Sequence, residues 1–269
     1  MYEIMTKSEY AFNRLRDDIL DGTLPSGSKL VIKDLAERYN ISAMPIRSAI
    51  VKLEEIGYVR SAPHIGAWVN QMDLNDYFTF MLLRTEAESL ASMMTAVVRT
   101  DKDIENLEVL TSQMDKALSR GKTEEYAKYN RQFHSLVYRS CQNPILIEQL
   151  DHIMERTQIA SFFLGQQLAS VNQSFREQVD WLNAIKAKDA DRCYSIVRYQ
   201  RTRFNLSILH HLKNATPEAL NNAFLRQALQ SEDTQKAIDL YIEVFKKLQN
   251  STSYRPQPDA SNIAIPYFD

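Results

Sequence analysis

Apolar residues recur at helical spacing through most of the chain. In residues 43–56 they repeat at i, i+4, i+7 and i+10, on one face of a helix: Ile46, Ile50, Leu53 and Ile56. Ser42 stands before this segment as a candidate N-cap, and Pro45 is tolerated because the first turn does not use its missing N–H. Gly57 is a stop signal. The pattern therefore predicts a helix here.

Two shorter helices are predicted before it. Residues 8–20 carry apolar positions at near-helical spacing, with Ser8 as a candidate cap and an end at Gly22. Residues 31–39 form the second pattern, which stops at Asn40. The turn between the second and third helices reads YNIS, a length that is typical of a helix-turn-helix.

An alternating pattern follows the third helix. Residues 58–69 predict two short strands about a Pro-His-Ile-Gly turn, whereas residues 25–30 are predicted to be a turn. Three helices and a hairpin within residues 1–70 predict a winged helix-turn-helix domain.

Long helical patterns succeed one another after residue 70. Six helices are predicted, over residues 73–98, 101–119, 123–141, 144–169, 172–187 and 189–212. Polar start signals precede most of them: Asp73, Thr100, Thr123, Asn143 and Asp189. Two further helices are predicted near residues 217–229 and 232–249. Residues 251–269 have no helical period and predict an extended or disordered tail.

Composition supports a mainly α fold. The 269 residues include only 6 glycines and 8 prolines, too few for a barrel, a sandwich or a Rossmann sheet. The predicted organisation is a winged helix-turn-helix domain (residues 1–70), an all-α helical bundle (residues 71–213), and additional C-terminal helices with a tail (residues 214–269).

Charge and cysteine content narrow the class of function. The formal net charge is −2, so no global field attracts anions. Cys141 and Cys193 lack metal-type spacing and indicate a reducing compartment. No apolar run has the length of a membrane span, and no signal peptide is recognised. We therefore expect a cytoplasmic protein without a membrane partner.

The predicted third helix and hairpin carry candidate contacts to double-stranded DNA. A recognition helix presents its first turns to base edges, while basic side chains and a wing contact phosphate. Arg47 reaches a guanine edge or a phosphate from such a position. The candidate residues are Lys33, Ser42, Ala43, Met44, Arg47, Lys52, His64, Ile65 and Gly66.

A protein-binding role for the same domain stays open. Residues 1–70 hold nine Lys and Arg and nine Asp and Glu, so the domain has no net positive charge. A neutral three-helix unit also serves as a protein-interaction module.

Residues 10–69 closely resemble the DNA-binding domain of GntR-type bacterial transcription regulators. The landmarks are ILDGTL, DLAERYNIS, PIRSAIVKLEEIGYV and the Gly66 of the wing. The resemblance places Lys33, Arg47, Ile65 and Gly66 at positions that touch DNA. That family usually has Arg directly after the capping Ser, where this chain has Ala43, so operator sequence and affinity do not carry over.

Residues 74–205 resemble the all-helical effector domain, of FCD type, in the FadR branch of that family. The motifs are LLRTEAESLA, YNRQFHSLVYRSCQNPIL and EQVDWLNAIKAKDADRCYSIV. Many members hold a divalent metal there through one Asp and three His, a set that suits a transition metal. Here those positions are Asn130, His134, Gln178 and Gln200. Neutral amides are poor ligands for such an ion, so we expect no metal cofactor.

The same four residues are expected to converge in an effector pocket, the alternative being a filled polar core. Arg84 is the candidate partner for an effector carboxylate, and an i,i+4 ion pair with Glu88 is its alternative role. The effector is otherwise unknown.

These observations predict a ligand-responsive, one-component transcription regulator that binds a palindromic operator as a homodimer. No catalytic signature or phosphate-binding loop is recognised, so we expect no enzyme. Two alternatives remain, namely an effector-independent DNA-binding regulator with a filled pocket and a helical protein-interaction scaffold.

Overall fold

The computed structural model describes residues 5–25, 27–63, 65–70, 74–164, 171–216 and 229–256. The chain divides into two compact units. The first is built from Met1–Thr79, Glu155–Phe163 and Leu212–Asp239, and the second from Phe80–Met154, Leu164–His211 and Leu240–Asp269. The domain boundaries at residues 70 and 213 stay predictions.

The first unit contains the predicted winged helix-turn-helix. Its elements are α1 (Lys7–Leu20), β1 (Lys29–Leu30), α2 (Ile32–Tyr39), α3 (Ala43–Glu55), β2 (Val59–Ala62) and β3 (Gly66–Val69). The strands form an antiparallel sheet in the order β1-β3-β2, with Lys29 opposite Trp68 and Val59 opposite Val69. The three helices and the hairpin are confirmed. Strand β1 lies where the sequence predicted only a turn.

Local signals set the helix ends, and one predicted cap is wrong. The N-cap of α1 is Thr6 instead of Ser8, because Thr6 and Glu9 form a reciprocal capping box. Asn40 ends α2 with φ 53°, a left-handed conformation that Asn tolerates. Ser42 occupies the N-cap position of α3, but its side chain makes no capping hydrogen bond.

Helix α3 buries the predicted apolar face. Ile46 and Leu53 are fully buried, and they pack in one cluster with Leu15 of α1, Leu35 of α2 and Val59 of β2. Burying side chains of this size contributes about 1.5–3 kcal/mol each. The same packing leaves the opposite face of α3 to solvent.

The remaining helices follow the predicted pattern closely. They are α4 (Leu74–Val98), α5 (Asp101–Ser119), α6 (Thr123–Arg139), α7 (Pro144–Leu164), α8 (Val171–Lys186), α9 (Ala190–Asn214) and α10 (Glu232–Ser251). The mainly α fold class is confirmed. The helix predicted near residues 217–229 lies outside the described residues, apart from its last position.

Trp181 is central to the core of the second unit. Its ring is fully buried, and its centroid lies 5.4 Å from that of Phe133 on α6. The indole Nε1–H donates to Ser92 Oγ on α4 at 2.6 Å, so the ring's single polar atom is satisfied. Trp181 thereby fixes α8 against both α4 and α6.

Part of the C-terminal tail packs on this unit. Residues 252–256 are not helical, as predicted, yet Thr252 Oγ1 donates to the Ser195 carbonyl at 3.1 Å and Tyr254 Oη donates to Asp180 Oδ2 at 2.7 Å. Tyr254 is buried within the core cluster. This segment is therefore ordered against α8 and α9.

Two substitutions two residues apart on α3 test the burial of its apolar face. Ile46→Ala is expected to cost about 2–5 kcal/mol of unfolding free energy, because the side chain is fully buried. Met44→Ala is the control and is expected to change it by less than about 0.5 kcal/mol, because Met44 is 75% exposed. Urea denaturation followed by ¹⁹F NMR of 5-fluorotryptophan, using the Trp68 signal, measures both. Equal costs would contradict the assigned face.

Candidate DNA-binding surface and effector pocket

The candidate DNA contacts lie on the solvent-facing side of the winged helix-turn-helix. All that fall in described residues are exposed: Lys33, Ser42, Ala43, Met44, Arg47, Lys52, Ile65 and Gly66. Met44 is 75% exposed and Ile65 is 62% exposed, so both apolar side chains are accessible from solvent. His64 lies outside the described residues.

An open groove of about 680 Å³ brings four of these residues together at the start of α3. Its lining includes Lys33, Ser42, Ala43 and Arg47. Two further basic residues, which the sequence did not predict as DNA contacts, lie at this surface. Lys7 lines the same groove, and Lys29 lies beside the wing.

Lys29 reaches the wing because of strand β1. Its Nζ lies 5.8 Å from the centroid of the Trp68 ring, and its Cε approaches Gly66, whose φ is 127°. Because this φ is strained for a residue with a Cβ, the position favours glycine, while the flexible Lys29 side chain could move away from an added Cβ at 3.1 Å. The sequence did not predict that Lys29 lies at the wing, because a strand of only two residues leaves no recognisable alternating pattern.

The effector-pocket candidates belong to a buried polar network inside the second unit. At its centre Glu88 is fully buried on α4. Its carboxylate accepts from Arg84 Nε at 2.7 Å, from Arg201 Nη2 at 2.9 Å and from Tyr138 Oη at 2.9 Å. Arg201 Nε also donates to it. Of the two roles considered for Arg84, the structure contains the ion pair with Glu88.

His134 continues this network toward α8. Its Nδ1 lies 2.9 Å from Tyr138 Oη, and its Nε2 lies 2.8 Å from Gln178 Nε2. Because the Tyr138 hydroxyl donates to Glu88, its oxygen accepts from Nδ1–H. Nε2 is then the acceptor for Gln178, which also donates to Asn130 Oδ1 at 2.8 Å. The partners thus define a neutral histidine protonated on Nδ1.

Burial and the neighbouring guanidinium groups control the charges here. Burial lowers the pKa of His134 to about 3, and Arg201 acts in the same direction. Burial alone would raise the pKa of Glu88, but the charges of Arg201 and Arg84 outweigh it and hold that pKa at about 2. Among the described residues, the network contains two guanidinium groups, one carboxylate and a neutral imidazole.

Three of the four predicted pocket residues are linked, and the fourth is not. Gln200 on α9 is buried, but neither end of its amide has a hydrogen-bond partner among the described residues, and Gln178 Oε1 also lacks one there. The sequence did not nominate Tyr138 or Arg201. The sequence indicates these two residues only through their positions, since Tyr138 follows His134 by four residues and Arg201 adjoins Gln200.

The donor set does not fit a divalent transition metal. His134 is its single imidazole, and both ring nitrogens already engage protein groups. Within the described parts of the chain, no three His, Cys, Asp or Glu side chains cluster where they could hold a metal ion.

Two family models match the chain. The model of bacterial regulatory proteins of the gntR family matches residues 7–69, and the FCD domain model matches residues 80–200. Together they span about two thirds of the sequence. The chain therefore carries a DNA-binding domain of the gntR family followed by an FCD domain, which is the domain organisation of GntR-type bacterial regulators.

Curated relatives include proteins named as HTH-type transcription regulators. The HTH-type transcriptional regulator McbR of Escherichia coli (strain K12) is 25% identical over 204 residues, which span 75% of this chain and 92% of McbR. The HTH-type transcriptional repressor RspR of the same strain is 24% identical over 187 residues, spanning 68% and 81%.

Solved structures share the fold. E. coli McbR/YncC aligns with a TM-score of 0.54 at 23% identity and covers 78% of this chain and 100% of its own. The structure of Lar, which "controls the expression of the Listeria monocytogenes agr system and mediates virulence", aligns with a TM-score of 0.58 at 18% identity and covers 77% and 99%. Among the described helices, none has the length and apolar character needed to cross a membrane.

Acidification is expected to destabilise the second unit through His134. Folding lowers its pKa from 6.5 to about 3, so between those values the unfolded chain binds a proton that the folded chain excludes. Stability is therefore lost as the pH falls below 6.5, by about 1.4 kcal/mol per pH unit for one proton. His134→Gln lacks this dependence.

Urea denaturation at pH 7.5, 6.5 and 5.5, followed through the ¹⁹F signal of Trp181, measures the difference between the two proteins. Glu88 does not contribute to the pH dependence between pH 7.5 and 5.5. Folding lowers its pKa from 4.5 to about 2, so the stability that it adds is lost only as the pH falls below 4.5. Parallel curves for the wild type and the variant would show that His134 titrates freely in the folded state.

Divalent metal is expected to leave the thermal midpoint unchanged. Dialysis against EDTA and subsequent addition of ZnCl₂ test this by differential scanning fluorimetry, because a ligand that binds the native state must raise the midpoint. A rise at micromolar zinc that EDTA reverses, and that His134→Gln abolishes, would contradict the assignment.

Proposed function

We propose that the protein is a one-component transcription regulator that binds DNA through its winged helix-turn-helix and a small molecule through its FCD domain. The observation that carries the proposal is the exposed groove at the start of α3, which is lined by Lys33, Arg47 and the N-cap residue Ser42. A DNA-binding regulator acts in the cytoplasm of a bacterial cell, and we propose no enzymatic activity for it.

The proposed DNA complex follows from helix-turn-helix geometry. Helix α3 enters the major groove with its first turns, where Arg47 contacts a guanine edge or a phosphate. Met44 offers an apolar contact to a thymine methyl group, whereas the side chain of Ala43 cannot form a hydrogen bond to a base edge. The wing at Ile65 and Gly66, together with Lys29, contacts the flanking backbone.

A homodimer on a palindromic operator is the proposed assembly. Each recognition helix reads a short site, and two copies related by a two-fold axis read two such sites in inverted order. Effector binding then regulates DNA affinity if it favours one arrangement of the two recognition helices over another.

The proposed effector carries a carboxylate. The described part of the polar network in the FCD domain contains two guanidinium groups and one carboxylate, so an added carboxylate finds cationic partners there, whereas a cation does not. Arg84 and Arg201 are the guanidinium groups that such a carboxylate contacts, in competition with Glu88. That exchange changes the bonds between α4 and α9, which gives the two states the differential contacts that regulation requires.

An effector-independent regulator is the second candidate. It is favoured by the unbroken hydrogen-bonded chain from Asn130 through Gln178, His134 and Tyr138 to Glu88. Such a chain is what a filled polar core provides. The unpaired amide of Gln200 weighs against it, because a filled core satisfies its members.

Arg47→Ala is expected to weaken specific DNA binding about 10- to 100-fold, because one base or phosphate contact of about 1–3 kcal/mol is lost. Lys246→Ala is the matched control, since Lys246 is an exposed cation on α10 paired with Glu243. Fluorescence anisotropy with duplex DNA from the protein's own promoter region, titrated across salt against a scrambled competitor, measures both.

The outcome separates the remaining candidates. A helical protein-interaction scaffold predicts no preference over the competitor and no effect of Arg47→Ala. Repeating the titration with a small-molecule extract of the source cells distinguishes a ligand-responsive regulator, whose affinity changes, from an effector-independent one, whose affinity does not.

A further inference from the structure

Residues 252–255 follow α10 and contact two other helices of the second unit. Tyr254 Oη donates to Asp180 Oδ2 on α8 at 2.7 Å. Thr252 Oγ1 donates to the Ser195 carbonyl on α9 at 3.1 Å. We call residues 252–255 the strap, because they join α8 to α9.

Burial alternates along the strap. Thr252 and Tyr254 are buried, whereas Ser253 and Arg255 are exposed. This pattern is typical of an extended segment that lies on a surface, because successive side chains of an extended chain point to opposite sides. The Tyr254 ring also packs against that of Tyr199 on α9, with centroids 5.5 Å apart. Tyr254 is therefore the main anchor of the strap.

The strap makes few contacts for the length of chain that it orders. Docking fixes the backbone of its residues, and this loss of entropy is of the same order as the gain from a few hydrogen bonds and one buried side chain. A segment held in this way undocks in a minor part of the population. A ligand that prefers the undocked state then increases its share.

The strap is attached close to buried groups of both helices. Asp180 follows Gln178 of the polar network by two residues on α8, and Tyr199 directly precedes Gln200 on α9. Both amide side chains are buried, as is Cys193 on α9. A molecule from solvent therefore reaches these groups only after the bundle opens.

We propose that the strap controls access to the interior of the FCD domain. When docked it holds α8 against α9, and when released it lets a small molecule enter the bundle between them. The inference rests on the proposed function only for what enters, namely the effector. The strap lies outside the segments that the two family models match, residues 7–69 and 80–200, so it is a feature of this chain and not of the matched domains.

The two free cysteines allow the opening to be measured. Both are buried, Cys193 on α9 beside the attachment of the strap and Cys141 just after α6. Burial raises the pKa of the Cys193 thiol to about 12, so it reacts only when it is exposed. The reagent is dithiobis-nitrobenzoate, whose disulfide a thiolate attacks to form a mixed disulfide and release coloured thionitrobenzoate. Because the reagent is itself a small dicarboxylate, its reaction with Cys193 reports that such a molecule has entered the bundle.

The full chain is compared in two backgrounds, Cys141→Ala to isolate Cys193 and Cys193→Ala to isolate Cys141. We expect Cys193 to react at least about tenfold faster than Cys141, because a local opening is populated more than global unfolding. We also expect its rate to depend less steeply on urea, because releasing the strap exposes less surface than unfolding the domain does.

Strap variants are expected to raise the Cys193 rate further. Tyr254→Ala removes the anchor and is expected to raise it about tenfold or more, because the closed state loses a buried aromatic side chain. Tyr254→Phe deletes only the hydrogen bond to Asp180, and the expected rise is about fivefold. Leu240→Ala is the control, because Leu240 is 59% exposed on α10 and lies outside the strap. It should leave the rate unchanged.

Three results would overturn the inference. Equal rates and equal urea dependence for the two cysteines would show that Cys193 is reached only through global unfolding. A Cys193 rate that neither Tyr254 variant raises would show that the bundle opens without release of the strap. An equal rise in Leu240→Ala would show that the effect is not specific to the strap.

These measurements use neither DNA nor an effector, so their failure is distinct from failure of the proposed function. The titrations with Arg47→Ala and with a small-molecule extract test that function separately. If the strap controls access and the extract nevertheless leaves DNA affinity unchanged, the effector-independent regulator is favoured and the strap serves no regulatory entry, which also overturns the inference.

Discussion

A carboxylate with no access to solvent governs the second unit of this protein. Glu88 is fully buried, and a buried charge persists only when neighbouring groups offset its desolvation, here Arg84 and Arg201 with the Tyr138 hydroxyl. These partners come from α4, α6 and α9, so satisfying one carboxylate fixes three helices. Tyr138 in turn fixes the tautomer of His134, and His134 fixes the amide of Gln178.

The charged groups of that network bear on the effector that we propose for the FCD domain. In the family pattern, a carboxylate and three imidazoles offset a divalent cation. Here the corresponding positions are Asn130, His134, Gln178 and Gln200, which bring no charge at neutral pH. The charged groups of the network are Arg84, Arg201 and Glu88.

Helical periodicity made most of the fold predictable. The face of α3 that carries Ile46 and Leu53 is buried. Helix α2 ends at Asn40, as predicted, and this residue type tolerates the left-handed conformation found there. The predictions that were wrong or missing depend on weak local signals. Strand β1 has two residues and exists because β3 pairs with it, and Thr6 caps α1 because Glu9 reciprocates. The exposed candidates on α3 were predictable, since an amphipathic helix hides one face and presents the other.

The sequence by itself determined the residue types at the site. They are one histidine and three amide side chains, at positions where a metal site would have one carboxylate and three histidines. That is a matter of identity at each position and needs no coordinates. Only the tertiary structure decided which side chains pair. Glu88 meets Arg201 across 113 residues, and Gln178 meets His134 across 44, while Gln200 meets no partner in the described segments. Such distant pairs arise from how α4, α6, α8 and α9 pack, because helical periodicity specifies which face is buried but not which side chains it meets.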